Sequence, residues 1–111
     1  MNISKEVSFE EFSRIDIRIG KIMDAQQIPG SKKLIKLMID IGGTIKTSVA
    51  AIGDNYKPDQ LSSKLVVVVT NLKPRKVFGV ESEVMILAAL DGPNVSILQP
   101  DKQVSTGSKV T

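Results

Sequence analysis

Two basic clusters are the groups in this chain best placed to do chemistry. One is Lys32-Lys33, directly after Pro29-Gly30-Ser31, and the other is Lys73-Pro74-Arg75-Lys76. Lysine offers a point charge to phosphate, and arginine adds a planar fork that can bind it bidentately. Both clusters fall in turn-rich stretches, where side chains project into solvent. The chemistry they suit is the binding of a polyanion. Two solvated loops have the same composition, so their surroundings must decide between the readings.

The rest of the composition removes most catalytic alternatives. The chain has 111 residues, no cysteine and no histidine. Disulfides and Cys/His zinc sites are excluded, as are Ser-His-Asp and Cys-His nucleophile systems. An enzyme of this composition would need carboxylates, lysine or a cofactor for its chemistry. The net charge is +3, but its distribution is uneven. Residues 28–80 carry nine basic and three acidic groups, while both flanks are slightly acidic. A central excess of this kind points to nucleic acid or another polyanion. The longest apolar run, Val84 to Leu90, is far short of the roughly 20 residues that span a bilayer. Lys5, Glu6, Glu10 and Glu11 interrupt any apolar signal core at the N-terminus. A cytoplasmic protein without membrane insertion is the expectation.

Two further motifs carry little. Gly43-Thr44-Ile45-Lys46-Thr47 lacks the spacing of a phosphate loop and reads as a hairpin with its outgoing strand. Glu81 and Glu83, the closest carboxylate pair, read as solvated.

The elements that must position the basic clusters are mostly strands. Ser8 and Glu11 have capping-box spacing for a short helix, with Phe9 and Phe12 as packing residues on one face. Ile15, Ile17 and Ile19 alternate as in a strand, and the phase slips after Gly20, which predicts a bulge or bend there. The strand continues to about Ile28. Leu34 to Ile41 alternates, Gly42-Gly43 signals a hairpin, and Ile45 to Ala51 alternates again. Pro58 suits the start of a short helix through Leu61. Leu65 to Val69 is a β-branched run suited to a buried strand. Asn71 to Gly79 reads as a basic loop, Val84 to Leu90 as an apolar strand, and Asp91 to Asn94 as a turn into Val95 to Leu98. The tail from Gln99 reads as a strand or an ordered wrap.

This order predicts an all-β fold in one domain, 1–111. A bent first strand, a meander, and a helix before the fourth strand match an OB-fold barrel, although other small barrels share the pattern. Aromatics are scarce. Tyr56 reads as structural, and only Phe78, beside the second cluster, is placed to stack on a base. That argues against a generic single-strand binder and for recognition of folded RNA by charge, shape and a few exposed bases.

Longer motifs carry a resemblance. Asp16-Ile17-Arg18-Ile19-Gly20-Lys21-Ile22, Lys32-Lys33-Leu34-Ile35-Lys36-Leu37 and Val69-Thr70-Asn71-Leu72-Lys73-Pro74-Arg75-Lys76 resemble the tRNA-binding OB domain. So does Gly79 through Ala89. That domain occurs at the C-terminus of methionyl-tRNA synthetases and as free-standing proteins. The resemblance implies a five-stranded OB barrel with short helices and terminal extensions. Here the extensions are 1–14 and 91–111, expected to form a homodimer. It implies non-catalytic tRNA binding, with a synthetase as a further partner. Carried over by position, the RNA contacts are Lys32, Lys33, Asn71, Lys73, Arg75 and Lys76, with Ser82 and Met85 beside them. Asn71 and Ser82 equally suit turn caps, and Met85 suits the core better than a contact.

A related branch, the CsaA-type export chaperone, is similar in Lys46-Thr47-Ser48, Tyr56-Lys57-Pro58 and Leu98-Gln99-Pro100-Asp101-Lys102. It implies unfolded peptide as the alternative partner. That branch usually has Phe-Pro-Pro in the basic loop, where this chain has Leu72-Lys73-Pro74, so Lys73 favours tRNA.

Overall fold

A computed structural model describes residues 5–111. The first four residues of the 1–14 extension lie outside the described range. Strand β1 (Ile17–Gln27) is the hub. Its first half pairs antiparallel with β4 (Leu65–Val69), and its second half pairs with β2 (Leu34–Asp40). Strand β3 (Ile45–Ala51) pairs with β2, and β7 (Met85–Ile86) pairs with β4. The resulting sheet order, β3-β2-β1-β4-β7, curls into a nearly closed barrel of OB type.

The strand-sharing depends on Gly20. A Cβ there would sit 2.7 Å from Ile39 Cγ2 and 2.9 Å from Val68 Cγ2, so only glycine lets the chain cross between partners. The bulge itself falls later than the phase slip predicts, between Ile22 and Asp24. The glycine provides room, and the extra residue, Met23, is extruded toward solvent.

Alternation on β2 places Ile35, Leu37 and Ile39 in the core with Ile22, Val66 and Val68. Leu61, from the Pro58–Leu61 helix α2, is fully buried beneath them. On β3 the pattern is inverted. Ser48 is buried opposite Leu37, while Ile45 is exposed. The large inward side chains of β2 leave space for only a small residue there. Tyr56 is structural as expected, since it packs on the core and its hydroxyl accepts the Ile97 N–H at 3.1 Å.

Two expected elements are built differently. The 71–79 stretch is not all loop, because β5 (Arg75–Val77) lies within it and forms a hairpin with β6 (Val80–Ser82) just beyond it. The single strand expected from Val84 to Leu90 divides at Leu87 into β7 and β8 (Ala88–Asp91), and β8 pairs with β9 (Asn94–Ile97) as a separate ribbon. Leu87 N–H donates to Val67 O and its carbonyl accepts from Leu98, so that residue serves two partners.

The tail is an ordered wrap. Gly107 N–H donates to Ile19 O at 2.7 Å, and Val110 N–H donates to Ile17 O at 2.9 Å. It thereby takes the edge of β1 that β2 leaves free. The capping box of α1 (Phe9–Ser13) is present, yet this helix buries no residue. Phe9 and Phe12 were expected to pack but are 82% and 42% exposed in the single chain. Among the described residues, no helix is long and apolar enough to cross a membrane, and no cluster of acidic side chains could hold a metal ion.

Candidate nucleic-acid interface

The first basic loop joins β1 to β2. Ser31 organises it, because its Oγ accepts the Leu34 N–H and its carbonyl accepts Gln27 Nε2. Gly53 then locks it against the chain after β3. Its N–H donates to Lys33 O at 2.7 Å, and a Cβ there would lie 2.3 Å from Lys32 O. Lys32 and Lys33 are left exposed. Lys33 approaches Asp54 at 3.8 Å, a solvated pair of little energetic weight.

The second basic cluster enters the β5–β6 hairpin. Phe78 and Gly79 form its tip with φ of 51° and 78°, the left-handed pair of a type I′ turn. Glycine adopts this conformation freely, whereas phenylalanine is strained in it. Phe78 is 62% exposed. Its Cε2 lies 3.9 Å from where a Cβ on Gly30 would sit, so the hairpin tip touches the β1–β2 turn. The turn that leads into the first cluster therefore lies beside the tip of the hairpin that carries the second.

The hairpin register divides the second cluster. Arg75 faces Ser82 across the ribbon, and Lys76 faces Glu81. Adjacent strand residues point to opposite faces. Arg75 therefore shares the Ser82 side, toward β3, while Lys76 projects from the reverse beside a carboxylate. Lys73 lines the same groove as Arg75.

The root of the hairpin is fixed by side chains standing in for a strand. Ser82 Oγ accepts the Val49 N–H at 3.0 Å, and Glu83 Oε1 accepts the Thr47 N–H at 3.0 Å. Glu83 N–H returns a bond to Thr47 O at 2.8 Å. These bonds close the barrel between β3 and β7. Glu83 Oε2 also lies 3.7 Å from Lys46 Nζ. Of the carboxylate pair expected to be solvated, Glu81 is exposed, but Glu83 is half-buried and engaged.

Asn71 is a strut at the other root of the hairpin. Its Oδ1 accepts the Asp16 N–H at 2.9 Å, and its Nδ2 donates to Arg14 O at 2.7 Å. Asp16 also pairs with Arg18 at 2.8 Å and accepts from the Thr70 hydroxyl. The Arg18 bond, then the Thr70 bond, hold the Asp16 carboxyl below the usual carboxylate range. Arg18 continues to Gly107 O in the tail.

Met85 is not a core residue. Its neighbour Ile86 is buried in the barrel, so alternation turns Met85 outward, where it is 46% exposed. It lines a groove of about 360 Å³ with Val49, Leu72 and Val84, and Lys73 and Arg75 stand at the same groove. The structure thus brings Lys73, Arg75 and Met85 to one groove, and sets Phe78 at the hairpin tip against Gly30 of the turn that precedes Lys32 and Lys33. It uses Asn71 and Ser82 as internal braces and sets Lys76 on the far side of the ribbon. Gly53 and Glu83 were missed from sequence. Only the contact of Gly53 with a distant carbonyl, and of Glu83 with a distant strand edge, reveals them.

The chain is similar to several known proteins. Residues 17–109 match the family model described as "Putative tRNA binding domain". A methionine--tRNA ligase of Pyrococcus furiosus is 53% identical over 104 residues, and that of Archaeoglobus fulgidus is 47% identical over 110. These alignments cover 94% and 99% of this chain but only 14% and 17% of the ligases. Among solved structures, a methionyl-tRNA synthetase-related protein from Pyrococcus horikoshii superposes with a TM-score of 0.91 at 33% identity, covering 97% of this chain and all of that one. The chaperone CsaA from Bacillus anthracis superposes at 0.87 and 34% identity, covering 96% and 100%. With the family model spanning most of its length, the chain belongs to the tRNA binding domain family.

Proposed function

We propose that this chain is a non-catalytic, cytoplasmic tRNA-binding module that recognises tRNA by shape and phosphate contacts. The observation that supports the reading is the contact of Phe78 with Gly30, which links the hairpin of the second basic cluster to the turn before the first. Lys32, Lys33, Lys73 and Arg75 supply the phosphate contacts. Phe78 offers an exposed ring for an unpaired base. Lys76 contributes from the far face, and Asn71 and Ser82 hold the hairpin in place. No cofactor takes part.

Residues 1–111 act as one unit, and the 1–14 and 91–111 extensions form a homodimer. Val7 and Phe9, exposed at 67% and 82%, supply apolar area for that contact, and Leu90, exposed at 78%, adjoins the second extension. Similarity to part of methionine--tRNA ligases supports a role in presenting tRNA to such an enzyme.

The second reading is a chaperone for unfolded preproteins, supported by the similarity to CsaA and by the exposed Leu72, Phe78 and Met85. Competition separates the two. Labelled tRNA is titrated against an unfolded preprotein at physiological salt. Micromolar or tighter tRNA binding that the preprotein displaces poorly is expected. Tight preprotein binding with only millimolar tRNA binding would reverse the order.

A further inference from the structure

The groove beneath the hairpin combines two properties that plain phosphate binding does not need. Leu72 and Met85 expose apolar surface, 44% and 46%, and Val49 and Val84 line the space between them. Lys73 and Arg75 stand at the same groove, and among the described residues neither is in an ion pair. The nearby carboxylate does not offset them, because Glu83 is already held by Thr47 and Lys46. A fitting ligand has a flat apolar part flanked by negative charge.

We propose that this groove takes one unstacked base of the bound RNA, with the phosphates on either side of it held by Lys73 and Arg75. The inference rests on the tRNA-binding reading and adds the feature of the RNA that is selected. A continuous duplex presents phosphates but keeps its bases stacked, so it leaves the groove empty. A nucleotide splayed from a loop or bulge fills both halves of the site. The polarizable Met85 thioether and the Leu72 methyls take the contact that aromatic rings provide elsewhere.

The strand edge argues against an extended peptide here. A peptide adding to β3 needs free backbone groups. At this place the N–H groups of Thr47 and Val49 are occupied by Glu83 and Ser82, and Thr47 O accepts from Glu83 and Val84. A base needs none of these groups.

The test uses three RNA hairpins of equal stem length: one with a single bulged 2-aminopurine, one with an abasic bulge and one without a bulge. The chain is expected to bind the bulged hairpin about tenfold more tightly than the other two. The 2-aminopurine fluorescence changes on binding. Leu72→Ala with Met85→Ala removes both the preference and the fluorescence change, with the salt dependence unchanged. Met85→Gln, similar in size and at an exposed position, serves the same purpose if the double variant unfolds. Equal binding of all three hairpins with a steep salt dependence refutes the base site and leaves the phosphate reading standing. Failure to bind any RNA refutes that reading itself. Displacement of the bulged probe by an unfolded apolar peptide, with no preference for the bulge, would make peptide the occupant.

Discussion

Ser82 is a candidate RNA contact, and its hydroxyl also braces the fold. Its Oγ accepts the Val49 N–H at 3.0 Å, at the seam where the hairpin closes the barrel. Ser82→Ala removes that acceptor and leaves a backbone donor of β3 unpaired. Such a loss costs about 1–3 kcal/mol when the donor is sealed from water. Val49 is half-buried, so water can partly replace the hydroxyl and the cost falls to about 1 kcal/mol. For a chain of this length, that lowers the melting temperature by roughly 4 °C. Urea unfolding is expected to show an earlier midpoint with an unchanged slope. Ser82→Thr, which keeps the hydroxyl, restores most of the loss. Binding of tRNA weakens because the hairpin is less firmly placed, yet the salt dependence stays as in the wild type. Unchanged stability together with weaker binding of tRNA would refute this reasoning. The hydroxyl would then be an RNA contact and not a brace.

Three other outcomes follow from the same geometry. Arg75→Ala is expected to weaken tRNA binding about tenfold and Lys76→Ala much less, because the two point to opposite faces of the ribbon; fluorescence anisotropy checks the ratio. Phe78→Asn places a residue suited to the left-handed position before Gly79. It is expected to raise the unfolding midpoint while lowering tRNA affinity. The Asp16 carboxyl is held low by Arg18 and Thr70. Its stabilising effect is therefore complete above the ordinary carboxylate pKa of about 3.9 and is lost as pH falls through the lower folded value. Asp16→Asn is expected to flatten that acid limb, measured by urea unfolding between about pH 2 and 5.

The sequence and the structure agree where the physics is local. Alternation of Ile35, Leu37 and Ile39, the left-handed glycines at 42 and 43, and the Ser8–Glu11 box each act within a few residues. Asp40 completes the β2–β3 turn by accepting both glycine N–H groups, which also holds its carboxyl low. Disagreement begins where a residue answers to a distant partner. The hairpin at 75–82 was hidden because its turn carries Phe78 where Asn-Gly would announce it. The buried face of β3 was hidden because small residues fill it beneath Leu37. The split of Arg75 from Lys76 follows from register, which no single strand reveals. Both basic clusters were legible as charge, but their meeting depends on Phe78 reaching Gly30.

The measurement closest to the central claim is the dependence of tRNA affinity on salt. Each phosphate contact contributes roughly 0.7–0.9 to the slope of log affinity against log salt. Lys32→Ala with Lys33→Ala, and Lys73→Ala with Arg75→Ala, are each expected to lower that slope by about 1.5. The quadruple variant is expected to lose about twice as much, since the two loops would then act on one RNA surface. A slope that neither pair alters would contradict the account. So would a slope altered by only one pair, because one cationic face built from both loops could not then be the binding surface.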